Sequence, residues 1–98
     1  MKLSNAQRRH LRGLTHHINP VVTVGDKGLT ENVWNELEIA LDHHELVKVK
    51  LRSERDLRNR QAAEIASRCK AEVVHQIGQV CCFFRRNTKK PVISLPSE

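Results

Sequence analysis

Pro20-Val21-Val22-Thr23-Val24-Gly25-Asp26-Lys27-Gly28-Leu29-Thr30 compresses a strand, a tight loop and a helix start into eleven residues. The β-branched, apolar run through Val24 predicts a short strand buried on both faces. Gly25 and Gly28 bracket a turn in which side chains would obstruct the backbone. Thr30 is a preferred N-cap, and Leu29 and Trp34 are spaced as a hydrophobic staple. The helix expected from Glu31 to His43 carries Val33, Leu37 and Leu41 on one stripe and acids on its outer side. His44–Arg52 then alternates: Val47, Val49 and Leu51 on one face, Lys48, Lys50 and Arg52 on the other. Two strands joined through a helix form a right-handed crossover, so these two are expected to be parallel.

The flanks extend this unit. Ser4–His17 reads as a helix, with Ser4 and Gln7 forming a capping-box pattern and Leu11, Leu14 and Ile18 forming an apolar stripe. Asn19-Pro20 ends it. A third helix is expected from Arg55 to Lys70, with Ala62, Ile65, Ala66 and Cys69 at helical spacing. Val73–Ile77 and Val80–Arg85 read as strands joined at Gly78-Gln79, a type II′ hairpin turn. From Asn87 the prolines and polar residues predict a tail, residues 87–98, with little structure of its own. The expected fold class is an α/β two-layer domain over residues 1–86, in the order αβαβαββ.

Charge is unevenly placed. The 98 residues carry a net charge of +6. Residues 1–17 hold Lys2, Arg8, Arg9 and Arg12 and no acid, and residues 73–97 hold Arg85, Arg86, Lys89 and Lys90 and no acid. Glu31–Glu45 holds five acids and no Lys or Arg. A polyanion-binding surface with a solvated opposite side would have this asymmetry. No apolar run approaches the ~20 residues of a membrane span, and the N-terminus lacks a secretory h-region. Cys69, Cys81 and Cys82 form no CxxC pair and are expected to be buried, reduced thiols of a cytoplasmic protein. The six histidines include two sequential pairs and show no zinc-ligand spacing, so no metal is expected. Neither a nucleophile–base pair with an orienting group nor an oxyanion site is visible, so no enzyme activity is expected.

The loop is the one motif with chemical meaning. A Gly-rich turn at a helix start aims amide N–H groups at an anion, and Lys27 adds a mobile cation, although Asp26 and Glu31 oppose it. The spacing fits neither the mononucleotide P-loop nor the three-glycine dinucleotide fingerprint. A GxxG loop clamping a nucleic-acid backbone remains. Trp34, Phe83 and Phe84 are the only large aromatics and at least two are needed elsewhere, so a stacking platform is not expected.

Taken in order, Pro20–Thr30, then Glu45-Leu46-Val47-Lys48-Val49-Lys50, then Gln76-Ile77-Gly78 with Phe84-Arg85, resemble the CRM domain (chloroplast RNA splicing and ribosome maturation). The resemblance spans about residues 3–86 and is similar in length to the stand-alone bacterial YhbY-like proteins. It implies a four-stranded mixed sheet similar to the C-terminal domain of bacterial translation initiation factor three. It also implies RNA binding through the loop at 25–28, in precursors of the large ribosomal subunit. Two positions depart from the family: Lys70-Ala71 stands where Thr-Gly is common, and Phe84 stands where Tyr precedes the arginine.

The expected RNA-binding residues are therefore Gly25, Asp26, Lys27 and Gly28 of the loop, Arg8, Arg9 and Arg12 of the first helix, Lys48, Lys50 and Arg52 of the alternating strand, and Arg85 and Arg86 after the last strand. Lys89 and Lys90 would add reach. The partner expected is ribosomal RNA; no cofactor, small molecule or membrane is expected, and the chain is expected to act as a monomer. Two other readings stay open: an adaptor that binds a basic protein through the acidic helix 31–42, and a DNA-binding module.

Overall fold

The computed structural model describes residues 2–97; Met1 and Glu98, the outer ends of the expected domain and tail, lie outside the described residues. Three helices and four strands follow in the order α1 (Asn5–Leu14), β1 (Val22–Val24), α2 (Glu31–His44), β2 (Leu46–Leu51), α3 (Arg55–Cys69), β3 (Glu72–Ile77) and β4 (Val80–Phe84). The sheet is mixed, in the order β1-β2-β4-β3, with β1 parallel to β2 and the other pairs antiparallel.

The local signals act as the residues dictate. Ser4 Oγ accepts from the Gln7 N–H, and Gln7 Oε1 accepts from the Ser4 N–H, so the capping box is complete. Thr30 Oγ1 accepts from the Val33 N–H and opens α2. Gly78 takes φ +54, which a primed hairpin turn requires of its first central residue. Lys70 caps α3 in the left-handed region, at φ +55, where glycine usually sits.

The two sheet faces are covered unequally. Val22, Val24, Val47, Val49, Leu51, Cys81 and Phe83 point to the face where α2 and α3 pack, supplying Trp34, Leu37, Leu41, Ala62, Ile65 and Cys69. This is the two-layer body. On the other face α1 lies over one half of the sheet, where Leu3 and Leu11 meet Leu46, Val74, Cys82 and Phe84. All three cysteines are free and buried.

Three expectations change. The first helix ends at Leu14, and residues 15–17 tighten into a single 3₁₀ turn. The first strand is not buried on both faces, since Thr23 is exposed and Val21 is 53% exposed. The strand order leaves β1 at a sheet edge, and its buried residues, Val22 and Val24, belong to the cluster on the α2 and α3 face. Finally, the described part of the tail, residues 87–97, has no helix or strand but is docked. Ile93 and Leu95 join the cluster beneath α1, and Gln7 Nε2 donates to the Pro96 carbonyl.

The docking is organised by Glu45, the residue between α2 and β2. Its side chain is fully buried, and its backbone sits at φ +61. Oε1 accepts from the N–H groups of Val92 and Ile93, at 2.8 and 2.7 Å, and from Arg86 Nη1 at 3.3 Å. Oε2 accepts from the Asn87 N–H at 2.6 Å. Burial alone would raise the carboxyl pKa, but these donors together hold it below its ordinary value.

Candidate nucleic-acid interface

β1 runs directly into the glycine loop, and the Arg52 N–H donates to the Val24 carbonyl, anchoring the loop's start to the end of β2. The Gly28 N–H donates to the Gly25 carbonyl at 3.0 Å, closing a turn with Asp26 and Lys27 at its tip. Gly28 takes φ +72, a region that costs an L-residue roughly 1–2 kcal/mol. Behind it lies Gln61 of α3, 6% exposed, whose Oε1 accepts from Ser53 Oγ at 2.9 Å. Gln61 is thus fixed behind the bend at Gly28, and Gly25, Asp26 and Lys27 project into solvent. Among the described residues the amides of Asp26 and Lys27 find no backbone acceptor, whereas that of Gly28 is committed. The donor set is therefore narrower than four amides from residues 25–28.

Several expected cations have structural partners. Lys48 Nζ donates to the carbonyls of Thr15 and Ile18, at 3.0 and 3.3 Å, and so caps the end of the first helical segment. Arg85 reaches across α2, with Nη1 2.8 Å from Glu38 Oε1 and Nη2 2.8 Å from Asp42 Oδ1. Burial opposes its charge, but the two carboxylates raise its pKa further. Arg86 binds Glu45 and the Ile93 carbonyl. Lys48, Arg85 and Arg86 are hence parts of the frame. No sequence signal reveals this, because their partners lie far along the chain or on backbone carbonyls. Arg8 is intermediate: it donates to the Val73 carbonyl at 2.8 Å and pairs with Glu72, yet keeps a third of its side chain exposed.

The remaining cations are exposed or half-buried, and among the described residues they have no acidic partner: Arg9, Arg12, Lys27, Lys50 and Arg52. Strand register groups most of them. Thr23, Lys50, Val80 and Ile77 form one row across the four strands. This row lies on the α1 side, at the end of the sheet away from Leu46 and Phe84; Val80 is half-buried against the cluster beneath α1, while Thr23 and Ile77 are exposed. Lys50 stands in it, Lys27 lies just off the end of β1 and Arg52 just off the end of β2. Arg12 approaches from α1, lining a groove against residues 73–76 of β3. Arg9 is exposed on α1 but does not line that groove. Lys89 and Lys90 are exposed in the docked tail, where Asn87 Oδ1 accepts from both their N–H groups.

Reading the sequence missed Thr23, Val80 and Ile77 as members of the open row. Continuing the alternation through β3 and β4 identifies the last two.

The CRS1/YhbY (CRM) domain profile matches residues 3–85. The chain belongs to this family. An RNA-binding protein of Haemophilus influenzae is 42% identical over 95 residues, covering 96% of this chain and 95% of that one. A protein of Pseudomonas aeruginosa named as a probable RNA-binding protein is 40% identical over 90 residues, covering 91% and 86% respectively. In three dimensions this CRM domain superposes on the solution structure of a hypothetical protein from Staphylococcus aureus, itself offered as an RNA binder. The TM-score is 0.82 at 29% identity, covering 97% of this chain and all of that one. The CRM domain therefore has the fold its residues predict. Among its described residues, no helix is long and apolar enough to cross a membrane, and no three His, Cys, Asp or Glu side chains cluster as metal ligands.

Proposed function

We propose that this CRM chain binds structured ribosomal RNA of the large-subunit precursor in the cytoplasm, without catalysing a reaction. The observation that carries the proposal is the exposed Gly25–Gly28 turn. It is held in a left-handed bend at Gly28, with free amides at Asp26 and Lys27 and cations at Lys27, Lys50 and Arg52 around one end of the sheet. Amides and a lysine at a helix start suit a phosphate. The names of its relatives supply the polymer. Backbone contacts position a protein without reading sequence, so selectivity would come from RNA shape. The adaptor reading has less to work with, because Glu38 and Asp42 are engaged by Arg85 and Glu45 is buried.

Fluorescence anisotropy against a large-subunit ribosomal RNA fragment tests the proposal. Lys27→Ala and Arg52→Ala should each weaken binding and reduce the slope of log affinity against log salt by about 0.7–0.9, with unchanged melting. Unchanged affinity in both variants would remove the loop-centred surface. Crosslinking in cells, followed by sequencing of the bound RNA, tests the target. Enrichment spread evenly over all cellular RNA would remove the large subunit from the proposal.

A further inference from the structure

α1 leaves a groove of about 370 Å³ between itself and β3, lined by Arg8, Arg12, Val73, Val74, His75 and Gln76. A register irregularity between Val73 and His75 turns His75 to the α1 side, opposite Cys82. The ring of His16, just past α1, stands 6.2 Å from that of His75 in an edge-on arrangement. Burial, then Arg12, His16 and Lys48, depress the His75 pKa, which keeps its imidazole uncharged near neutral pH. Ile77 follows on the same face of β3, 65% exposed in the open row beside Lys50 and Val80. Among the described residues no carboxylate lines the groove, and nearby Glu72 is held by Arg8.

These groups differ from a phosphate grip. A flat ring with a planar guanidinium beside it suits the π-face of an unpaired base, and imidazole and arginine both stack on bases. Arg12, exposed on the α1 side of the groove, suits a phosphate next to such a base. A metal would need a third ligand, and among the described residues no three His, Cys, Asp or Glu side chains cluster to hold one. A basic partner would meet no acid here.

We propose that the groove between Arg12 and His75, with His16 beside it, seats one unstacked nucleobase of the bound RNA, and that Ile77, two residues on from His75 along β3, adds apolar surface next to it. This rests on the RNA-binding reading above and adds a subsite that recognises unpaired RNA.

The test compares two labelled hairpin RNAs, one with a single bulged adenosine and one fully paired in the stem. His75→Ala and His16→Ala should each lose about tenfold in affinity for the bulged hairpin, the scale of one base–aromatic stack, and little for the paired one. His75→Phe should retain the preference. His16 is exposed, so its variant serves if His75→Ala melts early. Lys27→Ala should weaken both RNAs alike. If the two histidine variants bind the bulged hairpin like the parent while Lys27→Ala binds weakly, the base subsite is overturned and the RNA reading stands. An equal loss on both hairpins also overturns it, because that is a phosphate contact. If the parent protein binds neither hairpin, the RNA reading and the subsite fall together.

Discussion

Replacing Glu45 by Gln changes a few atoms and should cost much of the domain's stability. The carboxylate oxygens accept three backbone N–H groups within 2.8 Å, besides the Arg86 guanidinium. A glutamine side chain has one acceptor oxygen. Whichever way its amide turns, an NH₂ faces a backbone donor of the tail, at Asn87 or at Val92 and Ile93. Leaving a buried donor unsatisfied costs about 1–3 kcal/mol, and the charge-assisted character of the remaining bonds is lost as well. About 2–4 kcal/mol is expected in total. For a domain of this size that lowers the melting temperature by about 10–25 °C. Circular dichroism melts measure the shift, and hydrogen exchange at Val92 and Ile93 locates it. A shift under about 3 °C with both amides still protected would refute the reasoning. The pH dependence has a definite sign. The folded pKa of Glu45 is depressed, so its stabilisation is complete above the unfolded value of ~4.3 and is lost as pH falls through the folded value. The Gln variant should therefore show a flatter stability profile in acid than the parent.

The two loop glycines should behave differently. Gly28→Ala places a Cβ at φ +72 and should cost roughly 1–2 kcal/mol through strain alone, whereas Gly25→Ala meets open space and should melt like the parent. Arg85→Ala should lower the melting temperature by a few degrees, through lost contacts to Glu38, Asp42 and the Cys69 carbonyl, and leave the salt slope of RNA binding intact. A changed slope would return Arg85 to the interface. Alkylation at pH 8 should leave the folded chain unlabelled, because burial pushes the thiols of Cys69 and Cys81 up to about 11 and about 12; rapid labelling by mass spectrometry would contradict that burial.

Much of this fold follows from short-range rules. The Ser4 and Thr30 caps, the alternation of β2, the helical spacing of Ala62, Ile65 and Cys69, and the Gly78 turn are decided within a few residues of themselves. Those are the elements that appear where expected. The misplacements come from long-range packing. Nothing near Val21–Val24 says that β1 will lie at a sheet edge, and nothing in residues 87–96 says that a carboxylate some 45 positions earlier will hold them. The same distinction divides the candidate site. Lys27 is exposed at the tip of a tight turn and Arg52 at the end of an alternating strand, both of which local sequence predicts. Lys48, Arg85 and Arg86 look identical in sequence and are spent on distant carbonyls and carboxylates, which only tertiary structure reveals.

The bond from Gln7 to the Pro96 carbonyl has a practical consequence. It brings the first helix and the last described residues to one corner of the molecule. A short linker there, with the chain reopened at Gly78-Gln79, would give a circularly permuted protein that retains the same strand pairing. Gln7 and Pro96 thus mark one corner through which such a linker would pass.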